Sequence, residues 1–180
     1  LRAVRFAACL DFTIDELTAA AIGRHAPLLK SVAEERIGKE ILKAASQPGA
    51  ALAAAVELME KFGMLGLLLP EVGELRGLPA GNGHPEGGAW EHTLVALRAS
   101  ASSDPAVNLA LLLNDAVNHP ARREAALRSR GGGRADDGGR IADALCRRLH
   151  VPRRPRAAVA FAVGQEPRAC RFAELRRSET

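Results

Sequence analysis

Residues 31–45, SVAEERIGKEILKAA, have the clearest helical pattern in the sequence. Apolar residues recur every three to four positions and so share one face of a helix. The inward residues of this pattern are Val32, Ile37, Ile41 and Ala45, and the mostly outward residues are Arg36, Lys39, Glu40 and Lys43. Ser31 and Glu34 have the spacing of a capping box, in which the hydroxyl accepts a backbone N–H and the carboxylate reaches back. The segment predicts an amphipathic helix that begins at a serine N-cap.

The same kind of pattern extends along the whole chain. Thr13 and Glu16 have the spacing of a second capping box, Pro48 and Gly63 end helices, and Asp104 before Pro105 is typical of an N-cap. Hydrophobic residues make up 47% of the sequence, aromatic residues only 3%, and tyrosine is absent. A core rich in alanine and leucine favours helices over strands. We therefore predict an all-α fold.

One loop divides the predicted helices into two groups. Residues 77–88 contain five glycines and two prolines, a composition typical of a loop. We predict a helical subdomain over residues 1–76, a linker over 77–89, a second helical domain over 90–166 and a tail over 167–180.

Cysteine usage and hydropathy indicate the cellular compartment. Cys9, Cys146 and Cys170 are odd in number and widely spaced, so we expect small buried side chains in a reducing compartment rather than disulfides. No apolar run approaches the roughly 20 residues of a membrane span. The helical pattern is already under way at Leu1, and no signal peptide precedes it. We expect a cytoplasmic protein that is truncated at its N-terminus and has no membrane partner.

The sequence predicts no catalytic residue. Metal-dependent nucleotidyl transfer needs two or three carboxylates close together on a rigid strand, and no Asp-x-Asp occurs in a strand-like segment. Asp136 and Asp137 lie in a glycine-rich stretch, where helix capping is the better explanation. No dinucleotide fingerprint, Walker lysine or catalytic triad spacing was found.

The beginning of the chain resembles a known family. Residues 1–8, LRAVRFAA, and 11–15, DFTID, resemble the neck of class II tRNA nucleotidyltransferases and bacterial poly(A) polymerases. In that family a similar string follows the nucleotide-selecting Glu-Asp-x-x-Arg motif. The resemblance implies that the chain starts downstream of the catalytic head domain. It also implies that Mg²⁺ and ATP or CTP would be bound only with that head, and that this chain needs no cofactor itself.

A second match involves the helix quoted first. Residues 35–40, ERIGKE, look like the Glu-Arg-Ile-x-x-Glu helix that braces the neck against the head in this family. Glu35, Arg36 and Glu40 are the matching positions. The alternative is an exposed helix face with salt bridges, since such pairs are common and weak.

The second half of the chain resembles the HD domain of the same family. Residues 67–71, 75–79 and 84–86 are similar to the connection into that domain, and residues 90–94, WEHTL, to its opening. The resemblance covers roughly residues 1–163. It implies a helical neck followed by an HD-type helical domain.

The resemblance implies that most HD metal ligands are lost. His92 matches the first ligand and Asp115 the aspartate of the His-Asp pair, but Asn114 replaces the histidine of that pair. The next family histidine falls on Arg134, and a His-His pair falls at about Gln165-Glu166. We expect a vestigial, unoccupied site without phosphohydrolase activity. The alternative is that His92 is a partly buried histidine hydrogen-bonded to Asp115; His84 and His119 are expected at the surface.

Arginines are the candidates for contacts with RNA. Backbone phosphate contacts are independent of sequence and sensitive to salt, and the net charge of +4 favours a polyanionic partner weakly. The predicted RNA-binding residues are Arg2, Arg5, Arg147, Arg148, Arg153, Arg154 and Arg156. The alternative for each is a solvated helix surface.

Three functions remain open from the sequence. The first, which we favour, is the RNA-binding and architectural part of an enzyme that adds nucleotides to a tRNA or other RNA 3′ end, with a head domain as partner. The second is an HD-type metal-dependent phosphohydrolase, which only His92 and Asp115 support. The third is a stand-alone RNA-binding remnant, which differs from the first by the absence of an upstream catalytic head.

Overall fold

The computed structural model describes residues 1–79, 87–118 and 137–178, with the backbone alone for 118, 137 and 166–178. Helices make up most of this part of the chain, and two 3₁₀ turns, Ala26–Ser31 and Glu74–Gly77, join them. The helices are α1 (Arg2–Leu10), α2 (Glu16–His25), α3 (Glu34–Ala45), α4 (Gly49–Lys61), α5 (Leu65–Leu68), α6 (Pro70–Gly73), α7 (Ala89–Ala99), α8 (Pro105–Asn118), α9 (Asp137–Arg148) and α10 (Arg153–Ser178). The predicted all-α fold is confirmed.

Two of the predicted helix starts are wrong. Asp15, not Thr13, caps α2, and its Oδ1 accepts a hydrogen bond from the backbone N–H of Thr18 at 3.0 Å. Helix α3 begins after Ala33, which offers no side-chain cap. The 3₁₀ turn that follows α2 runs through Ser31, whose hydroxyl donates to the carbonyl of Leu28 at 2.7 Å. Ser31 is therefore already part of the preceding turn and cannot cap α3.

Two other predicted helix boundaries are confirmed. Gly63 follows α4 with a φ of 68°, the left-handed conformation that glycine adopts without steric cost. The N–H of Gly63 donates to the carbonyl of Glu60 at 3.0 Å, and that of Met64 to Met59 at 2.8 Å, which is the Schellman pattern. At the start of α8, the Oδ1 atom of Asp104 accepts a hydrogen bond from the N–H of Ala106 at 2.8 Å.

The helices pack in a connected series around a single core. Helix α1 contacts α3 and α4, α4 contacts α7, and α8 contacts α3, α6, α7 and the last two helices. Fully buried side chains from both halves, such as Leu52 and Val56 in α4 and Leu109 and Leu112 in α8, belong to the same hydrophobic cluster. This core runs across residues 77–89. The predicted division into two domains at these residues stays a prediction.

A buried asparagine connects the two halves through hydrogen bonds. Asn108 in α8 is fully buried, and its Nδ2 atom lies 2.8–2.9 Å from three carbonyl oxygens. Those carbonyls belong to Ala45, Gln47 and Ser102. Its Oδ1 atom accepts a hydrogen bond from the hydroxyl of Ser100 at 2.9 Å. The turn between α3 and α4 is therefore held against the turn between α7 and α8.

Backbone contacts also fix the two ends of the predicted linker. Pro79 and Gly88 form an isolated antiparallel bridge, and the N–H of Ala89 donates to the carbonyl of Leu78 at 3.1 Å. The chain thus returns at Gly88 to the point where it left at Pro79.

The prediction of buried cysteines is confirmed for Cys146 but not for Cys9, which is only partly buried. Cys9 and Cys146 are free, and Cys146 is fully buried. Burial raises the pKa of the Cys146 thiol to about 11, so the thiol stays protonated at neutral pH. No helix of the described residues is long and apolar enough to cross a membrane.

The contact between α3 and the end of α9 needs a glycine. A Cβ atom added at Gly38 would lie 1.7 Å from the carbonyl oxygen of Leu149, which is backbone and cannot rotate away. Helix α3 therefore approaches the turn before α10 at backbone distance. This approach holds α3 against the turn that joins α9 to α10.

We expect Gly38→Ala to destabilise the protein by about 2–4 kcal/mol, because overpacking forces the two backbones apart. Gly23→Ala in α2 is the matched control, since a Cβ atom there meets nothing within 4 Å. The control should be neutral or stabilising by up to about 1 kcal/mol. Urea unfolding of both variants measures the difference; equal stabilities would contradict the close contact.

Candidate nucleic-acid interface

A buried ion pair joins the first and third helices. Glu40 on α3 has a side chain only 11% exposed, and its Oε2 atom accepts a hydrogen bond from the Nε atom of Arg5 at 2.7 Å. Lys43 Nζ lies 3.3 Å from the other carboxylate oxygen, and Arg2 Nε lies 4.0 Å from it. Glu40 was expected mostly outward; it instead turns toward α1, because three cations surround it there.

The charge of Glu40 is stabilised despite its burial. Burial alone would raise the pKa of this carboxyl, but hydrogen bonds from Arg5 and Lys43 outweigh it, and the pKa lies below its ordinary value. The guanidinium of Arg5 also stacks on the ring of Phe6, 4.1 Å from its centroid. Arg5 is therefore held on both sides, and its role is to fix α1 on α3.

A groove of about 460 Å³ lies between the start of α1 and α3. Its floor is partly apolar, and four cationic side chains line it: Arg2, Arg36, Lys39 and Lys43. Arg2 is 70% exposed, and Arg36 has no carboxylate partner among the described side chains. Lys39 forms an exposed pair with Glu35 at 2.8 Å, within one helical face. The groove thus presents cations around a recessed surface.

Three members of this groove were not among the predicted RNA-binding residues. Arg36 was assigned to the neck-bracing motif with Glu35 and Glu40, and the two lysines were taken only as outward residues. The sequence itself indicates that these three cations lie together, because positions 36, 39 and 43 are spaced three and four apart and share one helical face. Their position beside Arg2 depends on how α1 packs, which no local pattern shows.

The second group of predicted arginines is largely engaged in ion pairs. Asp143 in α9 accepts hydrogen bonds from Arg147 and pairs with Arg156 Nε at 2.9 Å. The hydrogen bond from Arg147 is the main cause that lowers the pKa of Asp143. Arg148 binds both carboxylate oxygens of Glu71 in α6, at 3.0 and 2.8 Å. These arginines hold α6, α9 and α10 together.

Arg153 and Arg154 differ from that group. Both are exposed at the start of α10, and among the described side chains neither has a carboxylate partner. The preceding turn contacts Gly38 of α3, and His150 in that turn contributes to lowering the pKa of Glu35, after the larger effect of Lys39. The turn that leads into α10 therefore lies beside the helix that carries the groove lysines.

The structure brings the predicted metal pair together. His92 Nδ1 lies 2.6 Å from Asp115 Oδ2, and the hydroxyl of Thr93 donates to the same oxygen at 3.1 Å. The amide of Asn114 donates to the other oxygen at 3.4 Å. An adjoining cleft of about 230 Å³ is lined mainly by apolar side chains of α7, α8 and α10.

Among the described side chains, the donor set is smaller than an HD metal centre needs. Metal ions in such sites need three or more imidazole or carboxylate ligands, and within the described residues no group of three His, Cys, Asp or Glu side chains was found. His84, His119, Arg134 and Asp136 lie outside the described residues, and so does the side chain of Glu166. Gln165 lies in a groove between α9 and α10. Metal binding by His92 and Asp115 stays a prediction.

Several known proteins are similar to this chain. Residues 11–75 match the family described as the probable RNA and SrmB-binding site of polymerase A. The CC-adding tRNA nucleotidyltransferase of Thermus thermophilus is 41% identical over 102 residues, which cover 54% of this chain and 23% of that protein. No solved structure matches the chain at a significant level.

Two further relatives extend the match to nearly the whole chain. The multifunctional CCA protein of Halorhodospira halophila is 33% identical over 185 residues, 98% of this chain and 43% of that protein. That of Alkalilimnicola ehrlichii is 33% identical over 134 residues, 67% of this chain and 30% of that protein. The chain therefore belongs to the family of tRNA nucleotidyltransferases and poly(A) polymerases. It spans less than half the length of these curated relatives.

The Glu40 ion pair should make stability depend on pH. The pKa in the folded state lies below the ordinary value of 4.5, so the contribution is fully present above that value and is lost as pH falls through the folded-state pKa. We expect Glu40→Gln to cost about 1.5–3 kcal/mol at pH 7, because charged hydrogen bonds are lost. The difference from wild type should shrink between pH 5 and pH 3, roughly the range over which such carboxyls protonate.

Urea unfolding at pH 7, 5 and 3 measures this difference. Glu34→Gln is the control, an exposed carboxylate in the first turn of the same helix, with an expected effect below about 1 kcal/mol. A Glu40→Gln effect that stays constant with pH would show that the carboxylate charge contributes nothing.

Proposed function

We propose that this chain is the RNA-binding and architectural part of a tRNA nucleotidyltransferase- or poly(A) polymerase-like enzyme. It would hold the RNA whose 3′ end receives nucleotides, while a head domain of the same enzyme performs the addition. One relative is a tRNA nucleotidyltransferase by its name and two are multifunctional CCA proteins, which also favours a cytoplasmic location for this chain.

The groove between α1 and α3 is the observation that supports this proposal best. Four cations line it, and only Glu40 among the groove residues carries a negative charge. Because Glu40 is turned toward Arg5, the excess positive charge faces the solvent. Residues 11–75, which include α3, match the family segment described as an RNA-binding site. A phosphate backbone is the partner whose charge suits this surface.

The exposed arginines extend the proposed surface. Arg2 in α1 and Arg153 and Arg154 at the start of α10 are available for phosphates. Arg5, Arg147, Arg148 and Arg156 already bind carboxylates, and we assign them mainly to fixing the helices that present the other cations. The proposed contacts are with phosphates and therefore carry no sequence preference.

The catalytic chemistry is assigned to the partner domain. No carboxylate pair of the described residues lies on a rigid strand, so Mg²⁺ and ATP or CTP would be bound by the head. Glu35 at the exposed start of α3 is proposed to brace that head, while Arg36 is assigned to the groove. Joining this chain to a compatible head should then restore nucleotide addition, which a stand-alone RNA-binding remnant would not do.

The His92–Asp115 pair is proposed to be structural. It connects α7 with α8 through one short hydrogen bond, and Thr93 and Asn114 complete the shell of the carboxylate. With two donors among the described side chains, the pair gives a phosphohydrolase no further support. The pair would instead stabilise the packing of the two helices.

RNA binding should weaken steeply with salt, and Arg36→Gln should reduce the slope. Each lost phosphate contact lowers the slope of log affinity against log salt by about 0.7–0.9. Arg36 is chosen because it is exposed and lines the groove without a carboxylate partner among the described side chains. The measurement is tRNA binding by wild type and variant across a salt series.

Arg98→Gln is the matched control for this experiment. Arg98 is half-exposed on α7, pairs with Glu57 at 2.6 Å and does not line the groove. Its loss should leave the slope unchanged. If the wild type fails to bind tRNA at low salt, the proposed function is wrong; equal slopes for both variants would remove the groove from it.

The structural role of His92 predicts the behaviour of His92→Gln. The substitution should lower stability by about 1–2 kcal/mol, since it removes the hydrogen bond to a mostly buried carboxylate. Addition of Mn²⁺ or Zn²⁺ should change the melting temperature of wild type and variant equally. A stabilisation by metal in the wild type alone would contradict the structural assignment.

A further inference from the structure

Helix α2 lies at the edge of the core and leaves one face open. None of its ten residues is buried, whereas each of the other helices described above has at least one buried side chain. Ile22 is the α2 side chain that packs, partly buried, against the core. On the other side of the helix, Leu17 is 84% exposed, the highest value among the large apolar side chains of the described residues.

The open face carries a short row of small and charged residues beside Leu17. Glu16, Ala20 and Arg24 are spaced four apart, so they lie in one row along the helix, and all of them are exposed. Glu16 and Arg24 have no ion-pair partner among the described side chains. Two unpaired opposite charges therefore flank a small residue, with an uncovered leucine next to them.

The order of these charges makes the face complementary to itself. Glu16 and Arg24 are equally far from Ala20, on opposite sides of it. A two-fold axis at Ala20 that reverses the helix direction would place Glu16 of each copy beside Arg24 of the other. Packing of such four-residue rows against each other is the commonest class of helix contact, and a small residue at its centre lets the helices approach closely. Such a contact is isologous and closes at two copies.

RNA is a poorer partner for this face than a second copy. The row has one positive and one negative charge, so it offers no excess of cations to a phosphate backbone. Asp11 and Asp15 precede it and would repel phosphates further. Phe12 and Leu28, in the segments that flank α2, are 64% and 61% exposed and enlarge the apolar surface. Apolar surface with a polar rim is typical of protein–protein contacts.

We propose that the chain forms an antiparallel, two-fold symmetric dimer through the open face of α2. Leu17 and Ala20 pack across the axis, and Glu16 of each copy pairs with Arg24 of the other. This inference goes beyond the proposed function and does not depend on RNA binding. Because the face is one short helix with its flanks, the contact is at the small end of protein interfaces, and the dimer dissociates on dilution.

Sedimentation velocity of the purified chain, from roughly 1 µM to 1 mM, the range of weak affinities, tests the dimer. The wild type should shift from monomer to dimer as its concentration rises. Leu17→Ser should remain monomeric throughout, because the apolar contact is lost. Val95→Ser is the matched control, since Val95 is also an exposed apolar residue, 44% exposed, but lies on α7. It should dimerise like the wild type.

A charge exchange tests the pairing itself. Glu16→Arg and Arg24→Glu should each weaken the dimer by at least about fivefold, because both symmetric pairs become contacts between like charges. The double variant Glu16→Arg/Arg24→Glu should recover an affinity within about twofold of wild type. Both changes oppose the dipole of α2, so the double variant should still melt at a lower temperature. Recovery of the dimer without recovery of stability would separate pairing from folding.

The other outcomes overturn the inference. A wild type that stays monomeric at all concentrations contradicts it, and so does a dimer that Leu17→Ser leaves intact or that the double exchange fails to restore. If the wild type is monomeric and Leu17→Ser weakens tRNA binding, the face contacts RNA instead. Failure of the wild type to bind tRNA, with the dimer present, would count against the proposed function alone.

Discussion

The arrangement of the molecule depends on the buried amide of Asn108. Its Nδ2 atom lies within hydrogen-bond distance of the carbonyls of Ala45, Gln47 and Ser102, and so joins the turn after α3 to the turn after α7. An apolar residue of similar size would remove these hydrogen bonds, each of which contributes about 0.5–1.5 kcal/mol. Nearby, Gly49 allows α4 to begin against the same turn, since a Cβ atom there would lie 2.2 Å from the carbonyl oxygen of Leu97. Both halves of the chain are aligned at this point.

Electrostatic pairing then determines which cations remain available. Glu40, Glu71 and Asp143 each bind at least one arginine that the sequence offered as an RNA contact. These pairs fix α1 on α3, and α9 on α6 and α10. The cations left over are those on the exposed face of α3 and at the two helix starts. Arginines that pair with carboxylates and arginines that stay exposed thus look alike in sequence and differ in whether a carboxylate is nearby.

Periodicity was sufficient to predict the helices, and the glycine and proline signals gave several of their ends. Capping-box spacing failed at Thr13 and Ser31. Asp15 caps α2 in place of Thr13, and Ser31 belongs to the 3₁₀ turn after α2, which has no distinct sequence pattern. The pairing of His92 with Asp115 followed from the family resemblance. The position of the groove lysines beside Arg2 did not follow, since it depends on contacts between helices that are distant in sequence. The predicted metal and RNA roles of individual residues remain predictions.

The bridge between Pro79 and Gly88 gives the chain a point where its length can vary. Because both ends of this segment are fixed by backbone hydrogen bonds, added residues change mainly the entropy of loop closure. That entropy grows slowly, by roughly 0.6 kcal/mol for each doubling of length. An epitope tag or a small reporter domain inserted between these two residues would leave the helical core intact. Related proteins could accept insertions of different size at this position without altering how their halves align.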